Sequence, residues 1–204
     1  MGWIIVSKKF YIALEKRRSI YGISKETVLT DEKIQEIVET AVKHTPSSFN
    51  SQSARVLVLL GEHHDKLWDV TKETLRNLLP EDKFPPTEEK ISSFRNGYGT
   101  VLFFEDESVI QHLQNSFPLY KDNFPIWSHH SSGMLQFVVW TALEIEGFGA
   151  SLQHYGSLIE SQVQKEWYVP HTWKLIAQLP FGKPTAPPGI KDFKPLEDRV
   201  IVFK

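Results

Sequence analysis

The stretch from about Ser128 to Glu146 constrains this chain most. It carries Met134, Leu135, Phe137, Val138, Val139, Trp140, Ala142, Leu143 and Ile145. Wound into a helix of about 3.6 residues per turn, these side chains surround nearly the whole cylinder. A helix that is apolar all round must be buried, within a large core or against a second subunit. A chain of 204 residues leaves little room to cover one helix on every side. The segment therefore predicts either a dimer interface or a long core helix.

The other periodic segments are shorter. Ile34, Ile37, Val38, Ala41 and Val42 share one face of a helix over Asp31–His44. Thr30 is its expected N-cap, Asp31 and Glu32 complement its dipole, and Pro46 ends it. A helix is expected over Lys8–Lys16, capped by Ser7, and others over His63–Leu79, from Thr87 to Arg95 after a Pro85-Pro86 turn, and from Ser157 to about Trp167. Arg55–Leu60, Thr100–Phe104 and Trp173–Leu179 read as buried strands. A Pro- and Gly-rich loop from Gly182-Lys183-Pro184 to Gly189 precedes a terminal strand, Arg199–Phe203. That strand is useful only if something pairs with it, and the long loop before it allows a partner subunit to do so. Helices and strands do not alternate regularly, which favours an α+β fold. With no internal repeat or linker, residues 1–204 read as one domain.

Composition narrows the function classes. A hydrophobic fraction of 41% with 24% charged residues is that of a globular protein. The net charge of -2 gives no reason to expect nucleic acid or an anionic membrane as partner. With no cysteine, thiolate nucleophiles, Cys-ligated zinc and iron–sulfur clusters are excluded. Gly2–Val6 is too short for a signal h-region and no run reaches the roughly 18 apolar residues of a membrane span, so a cytoplasmic protein is expected.

Four segments could carry chemistry. Arg17-Arg18-Ser19 pairs two guanidinium forks with a hydroxyl, a natural phosphate clamp, although paired arginines are more often a solvated face. Pro46-Ser47-Ser48-Phe49-Asn50-Ser51-Gln52 concentrates hydroxyls and amides that match the edge of a planar heterocycle, but these are also ordinary turn residues. In Gly147–Gly156 the glycines let a backbone approach a flat ligand, or simply cap a helix ahead of an edge strand. Lys183 and Arg199 add cations that each, alone, read as surface charge.

Taken in order, these segments resemble the nitroreductase family of FMN enzymes over nearly the whole chain. The likeness is greatest to the short fatty-acid-repression-mutant-like branch, through Arg17-Arg18-Ser19-Ile20-Tyr21, Gly99–Phe104 and Pro195–Arg199. The resemblance implies a central, mostly antiparallel sheet flanked by helices in an intertwined homodimer. It implies that Arg17, Arg18 and Ser19 hold the FMN phosphate, ribityl and pyrimidine groups. Pro46, Ser47, Ser48 and Asn50 would reach the flavin of the other subunit, with Gln52 supporting that loop. Gln153, His154 and Tyr155 would line the flavin edge near N5, and Arg199, with Lys183, would complete the phosphate site. Many members carry a Lys or Arg two positions beyond the serine. Tyr21 stands there in this chain, so Arg17 or Arg18 must supply that charge.

The implied activity is ping-pong hydride transfer from NADH or NADPH, through FMN, to nitroaromatic or quinone-type acceptors, with no side-chain nucleophile. A flavin-binding sensor on the same fold is the alternative. Adjacent histidines (His63-His64, His129-His130) point about 100° apart on a helix and lack the i, i+4 spacing of a zinc pair, so no metal is expected. Glu32, Glu36 and Glu39 read as a solvated face.

Overall fold

A computed structural model describes residues 2–204, with side chains from Lys9 onward. In chain order the elements are α1 (Gly2–Lys16), β1 (Ile23–Ser24), α2 (Asp31–His44), β2 (Ala54–Leu60), α3 (Gly61–Leu78), α4 (Phe84–Arg95), β3 (Gly99–Asp106), α5 (Glu107–Ser116), α6 (Phe124–Ile145), β4 (Gly149–Ala150), α7 (Gly156–Glu166) and β5 (Trp173–Pro184). The sheet runs β1-β5-β3-β2, with β4 also on β5, and all of these pairings are antiparallel. The fold is α+β.

β3 is the centre of the molecule. All eight of its residues are buried, because helices cover both faces of the sheet. Val101 and Phe103 join α2 and α6 on one face, while Leu102 and Phe104 meet α3, α4 and α7 on the other. A strand packed on both sides has no polar face to expose, hence its unbroken apolar run. The register slips between Phe103 and Phe104, where β5 passes over Ile176. That bulge increases the local twist.

α2 forms where its cap predicts. The Thr30 hydroxyl accepts from Lys33 N at 3.4 Å, and Ile34, Val38 and Ala41 are buried against the sheet. α1 starts ahead of Lys8, so Ser7 lies inside the helix and does not open it; its side chain lies outside the described ones. Pro85 and Pro86 are not a separate turn. They occupy the first turn of α4, where proline's fixed φ fits and its missing N–H costs nothing. α5 is unforeseen: it follows β3 without a loop, and Asp106 closes the strand and caps the helix through Ser108 N at 3.1 Å.

One expectation for the C-terminal half is corrected. β5 continues through Pro184, so Gly182 and Lys183 belong to a strand and not to the loop. Residues 199–203 pair with no strand of their own chain, which leaves the expected pairing with a partner subunit as the one open to them. They end an extended tail, residues 185–204, in which Ile190, Phe193, Leu196 and Val200 to Phe203 are all exposed. β5 already has β3, β4 and β1 beside it, while β2 stands at the free edge of the sheet.

α6 is only half covered. Leu135, Val139 and Leu143 pack on the sheet and α2, whereas Ile126, Met134, Val138 and Ile145 are exposed at 54%, 41%, 37% and 64%. The reading of a fully buried helix therefore fails within one chain. Among the described residues no helix is long and apolar enough to cross a membrane.

Candidate active site

Arg17-Arg18-Ser19 leaves the end of α1 and is stitched directly to the segment around β4. Ser19 bridges Ala150, and Ile20 N donates to Ala150 O at 2.9 Å. Three residues further, Gln153 and Gln178 exchange main-chain hydrogen bonds of 2.7 and 2.9 Å. The Gln178 side-chain carbonyl accepts from Tyr155 N at 2.6 Å, fixing the turn into α7. A methyl group on Gly156 would stand 2.3 Å from Leu175 O, so only glycine permits that approach. Gln153 is buried, His154 is exposed and Tyr155 packs edge-on against Trp68. Burial pushes the Tyr155 phenol up from its usual range. The first and third segments thus form one continuous wall.

That wall holds buried donors without acceptors. The Arg17 guanidinium sits over Trp140, its central carbon 4.2 Å from the ring centroid, and its Nε is buried with no partner. Gln178 Nε2 is likewise buried and unpartnered. A buried donor left unmade costs about 1–3 kcal/mol, so each of these two would be stabilised by an acceptor. Arg18 donates through Nη2 to Gly189 O, tying the tail to the clamp.

Glu144, in the last turn of α6, closes the clamp from below. Its Oε2 accepts from Arg18 N at 2.8 Å and its Oε1 from the Trp140 indole at 3.0 Å. Burial pushes its carboxyl up to about 7, against the opposing pull of those two donors and of the Arg17 and Arg18 charges.

Pro46–Gln52 is a strained loop. Phe49, Asn50 and Gln52 have φ of 57°, 50° and 49°, each a left-handed conformation that costs a non-glycine residue about 1–3 kcal/mol. Ser47 Oγ accepts from Gln52 N at 3.0 Å, and Arg55 Nη1 donates to Gln52 O at 2.8 Å. Phe49 packs on Phe117 and Phe124 with centroids 5.0 and 5.3 Å away, and stacks on Trp127. Such strain persists only where surrounding contacts over-determine it. Pro46, Asn50 and Gln52 are exposed, Ser47 and Ser48 partly so. Among the described residues the side chains of Ser48, Asn50 and Gln52 make no hydrogen bond.

The loop and the wall sit at opposite ends of α6. Trp127 lies beside Phe49 and Trp140 beneath Arg17; thirteen residues at 1.5 Å each separate them by about 20 Å. One chain therefore does not bring Ser47–Asn50 to its own Arg17. Nor does it gather all the cations. Lys183 pairs with Glu26, and Arg199 lies on the exposed tail, where its main-chain N–H donates to Leu196 O at 2.9 Å. Glu144, Trp140 and Gln178 carried no signal in the sequence: the first two belong to an apolar helix, the third to a buried strand. His64 is bonded to Thr100 and the Arg95 carbonyl, and no group of three His, Asp or Glu side chains converges among the described residues.

Comparison with known proteins adds to this geometry. The model of the nitroreductase family matches residues 14–183. The nitroreductase FRM2 of Saccharomyces cerevisiae is 36% identical over 184 residues, covering 89% of this chain and 91% of that protein. The nitroreductase CinD of Lactococcus lactis, solved with nicotinic acid, superposes with a TM-score of 0.90 at 44% identity, over 96% of this chain and all (100%) of that one. CinD has also been solved with chloramphenicol and with 4-nitrophenol. A nitroreductase of Saccharomyces cerevisiae superposes with a TM-score of 0.76 at 32% identity, over 87% of this chain and 96% of that one.

Proposed function

The chain belongs to the nitroreductase family and is an oxidoreductase of that type, and from this premise we propose that it works as a cytoplasmic homodimer holding FMN. NADH or NADPH is the donor; nitroaromatic or quinone-type compounds are the acceptors, in ping-pong order. The nitroaromatic ligands found in CinD support that substrate class.

The observation that carries the reading is the wall from Arg17 to Ser19 through Gly149 to Tyr155, with Arg17 Nε and Gln178 Nε2 lacking acceptors. These residues fit a flavin mononucleotide. The Arg17 and Arg18 forks suit its phosphate and the Ser19 hydroxyl its ribityl chain. The main chain of Gln153, His154 and Tyr155 suits the edge of its ring. When bound, FMN supplies the two-electron chemistry. The chain orients it and sets positive charge where negative charge develops. Only family likeness supports a role for Arg199 and Lys183 at the phosphate, and Lys183 must leave Glu26 to take it.

The second half of the site comes from the partner subunit. A two-fold axis across α6 exchanges its ends, so that the loop of one subunit meets the clamp of the other. The midpoint between Trp127 and Trp140 falls at Gly133-Met134, both exposed, with open space beside Gly133. Ser47, Ser48 and Asn50 of the partner subunit then face the flavin, with Pro46 and Gln52 shaping their loop. The exposed apolar stripe of α6 and the apolar tail are covered by the same assembly. The dimer is a condition of activity.

The test is the visible spectrum of the purified protein, before and after anaerobic NADH or NADPH. A yellow protein bleached by either donor, and reoxidised by 4-nitrophenol or a quinone, is expected. A colourless protein that FMN does not reconstitute sinks the reading. A yellow one that neither donor bleaches indicates a flavin sensor instead.

A further inference from the structure

Glu144 is the carboxylate on which the charges of Arg17 and Arg18 act, and the flavin reading assigns it no part. It sits one helical turn beyond Trp140, so both side chains leave α6 on the same side. Its two oxygens hold the Arg18 main-chain N–H and the indole on which Arg17 rests. We propose that Glu144 is the positioning residue of the phosphate clamp, and that it takes up a proton when the phosphate of FMN docks against Arg17 and Arg18. The proposal rests on the flavin reading above.

The geometry states why a carboxylate there is both useful and awkward. Without it, the Arg18 N–H and the Trp140 N–H lose their acceptor, and Arg17 loses the fixed ring beneath it. With it, an arriving phosphate meets a like charge behind the two cations it binds. Repulsion of that kind raises a carboxyl pKa. Burial has already brought Glu144 to about 7, so the proton it needs is available near neutrality. The charges that face it are Arg17 and Arg18, from the segment after α1. α2 presents Lys33 to Glu146, not to Glu144. The tail reaches the clamp only through Gly189, on the Arg18 guanidinium. A neutral Glu144 no longer opposes the phosphate, and its carbonyl oxygen still accepts one of the two hydrogen bonds.

The consequence is an affinity that weakens with rising pH, by up to about tenfold per unit once Glu144 is ionised in the free protein. Full-length protein is stripped of flavin and titrated with FMN, following fluorescence quenching, at half-unit steps from pH 7 to 8.5. Riboflavin, which has the same ring and no phosphate, is titrated in parallel. FMN affinity that falls across this range while riboflavin affinity stays level is the expected result, and Glu144→Gln should flatten the FMN profile. Level FMN affinity in the unaltered protein, an equal fall for riboflavin, or an undiminished slope in E144Q each overturns the proposal and leaves the flavin reading intact. Failure of the unaltered protein to bind either flavin overturns both. Should E144Q not fold, Trp140→Phe keeps a ring under Arg17 and removes one donor to Glu144. The fall should then begin at higher pH, and an unmoved profile counts against the proposal.

Discussion

Replacing His64 with glutamine removes a group whose burial should govern the acid stability of the fold. His64 is 1% exposed, beneath β3 and α4. Its Nε2 lies 3.2 Å from the Arg95 carbonyl, which can only accept, so Nε2 carries the proton. Nδ1 then accepts from the Thr100 hydroxyl at 2.8 Å, and that hydroxyl accepts from the Trp68 indole at 3.0 Å. The network is satisfied with a neutral ring, and desolvation lowers the His64 pKa from 6.5 to about 4. The folded pKa is depressed, so the unfolded chain takes up this proton first as pH falls. Stability is whole above pH 6.5 and is lost between 6.5 and about 4. A shift of roughly 2.5 units, at 1.36 kcal/mol each, amounts to about 3 kcal/mol in total. Urea unfolding of the unaltered and His64→Gln proteins at pH 7.5 and 4.5 isolates it, because carboxylates that titrate in both cancel in the difference. The unaltered protein should lose about 2–3 kcal/mol more than the variant over that interval. An equal loss in both would refute the assignment of the acid sensitivity to His64.

Glu105 should act with the opposite sign. Burial raises its carboxyl from 4.5 to about 7 despite the Ser53 hydroxyl at 2.6 Å. Its contribution is present below pH 4.5 and lost as pH rises through 7, so Glu105→Gln should gain stability relative to the unaltered protein at pH 8 compared with pH 5, by up to about 3 kcal/mol; thermal melts at both values check this. Met134→Glu, on the exposed face of α6, should yield monomers by light scattering that retain native circular dichroism but not FMN. Gly156→Ala sets a methyl group 2.3 Å from Leu175 O, and should lower the melting temperature and release flavin together, since the same turn carries Gln153 to Tyr155.

What was legible in the sequence was whatever local chemistry decides. Thr30 and the apolar face behind it bound α2 at the expected residues, and the unbroken run through Val101–Phe104 marked a strand buried on both faces. α5 was missed because Asp106 both closes a strand and caps a helix, leaving no loop between them. Val200–Phe203 has the β-branched composition of a strand but pairs with nothing in its own chain; pairing needs a free edge, and residue type does not say which chain supplies it. The site divided in the same way. Arg17–Ser19 and Ser47–Asn50 stood out by composition, but their separation of about 20 Å along α6 appears only in three dimensions. Glu144 and Gln178 act through partners 126 and 23 residues away, beyond the reach of any spacing rule.

The sheet order β1-β5-β3-β2 has a consequence for how the chain is made. Its latest strand, Trp173–Pro184, is the one every other except β2 pairs with. During synthesis β2 and β3 can meet as a hairpin around α3 and α4, but β3 then keeps one bare edge carrying Val101–Phe104. An open, apolar edge recruits other strands, including those of neighbouring nascent chains. Folding cannot be completed until Pro184 has left the ribosome, at roughly 5–20 residues per second. Interrupted synthesis anywhere before Trp173 should therefore yield aggregates and not a smaller folded product.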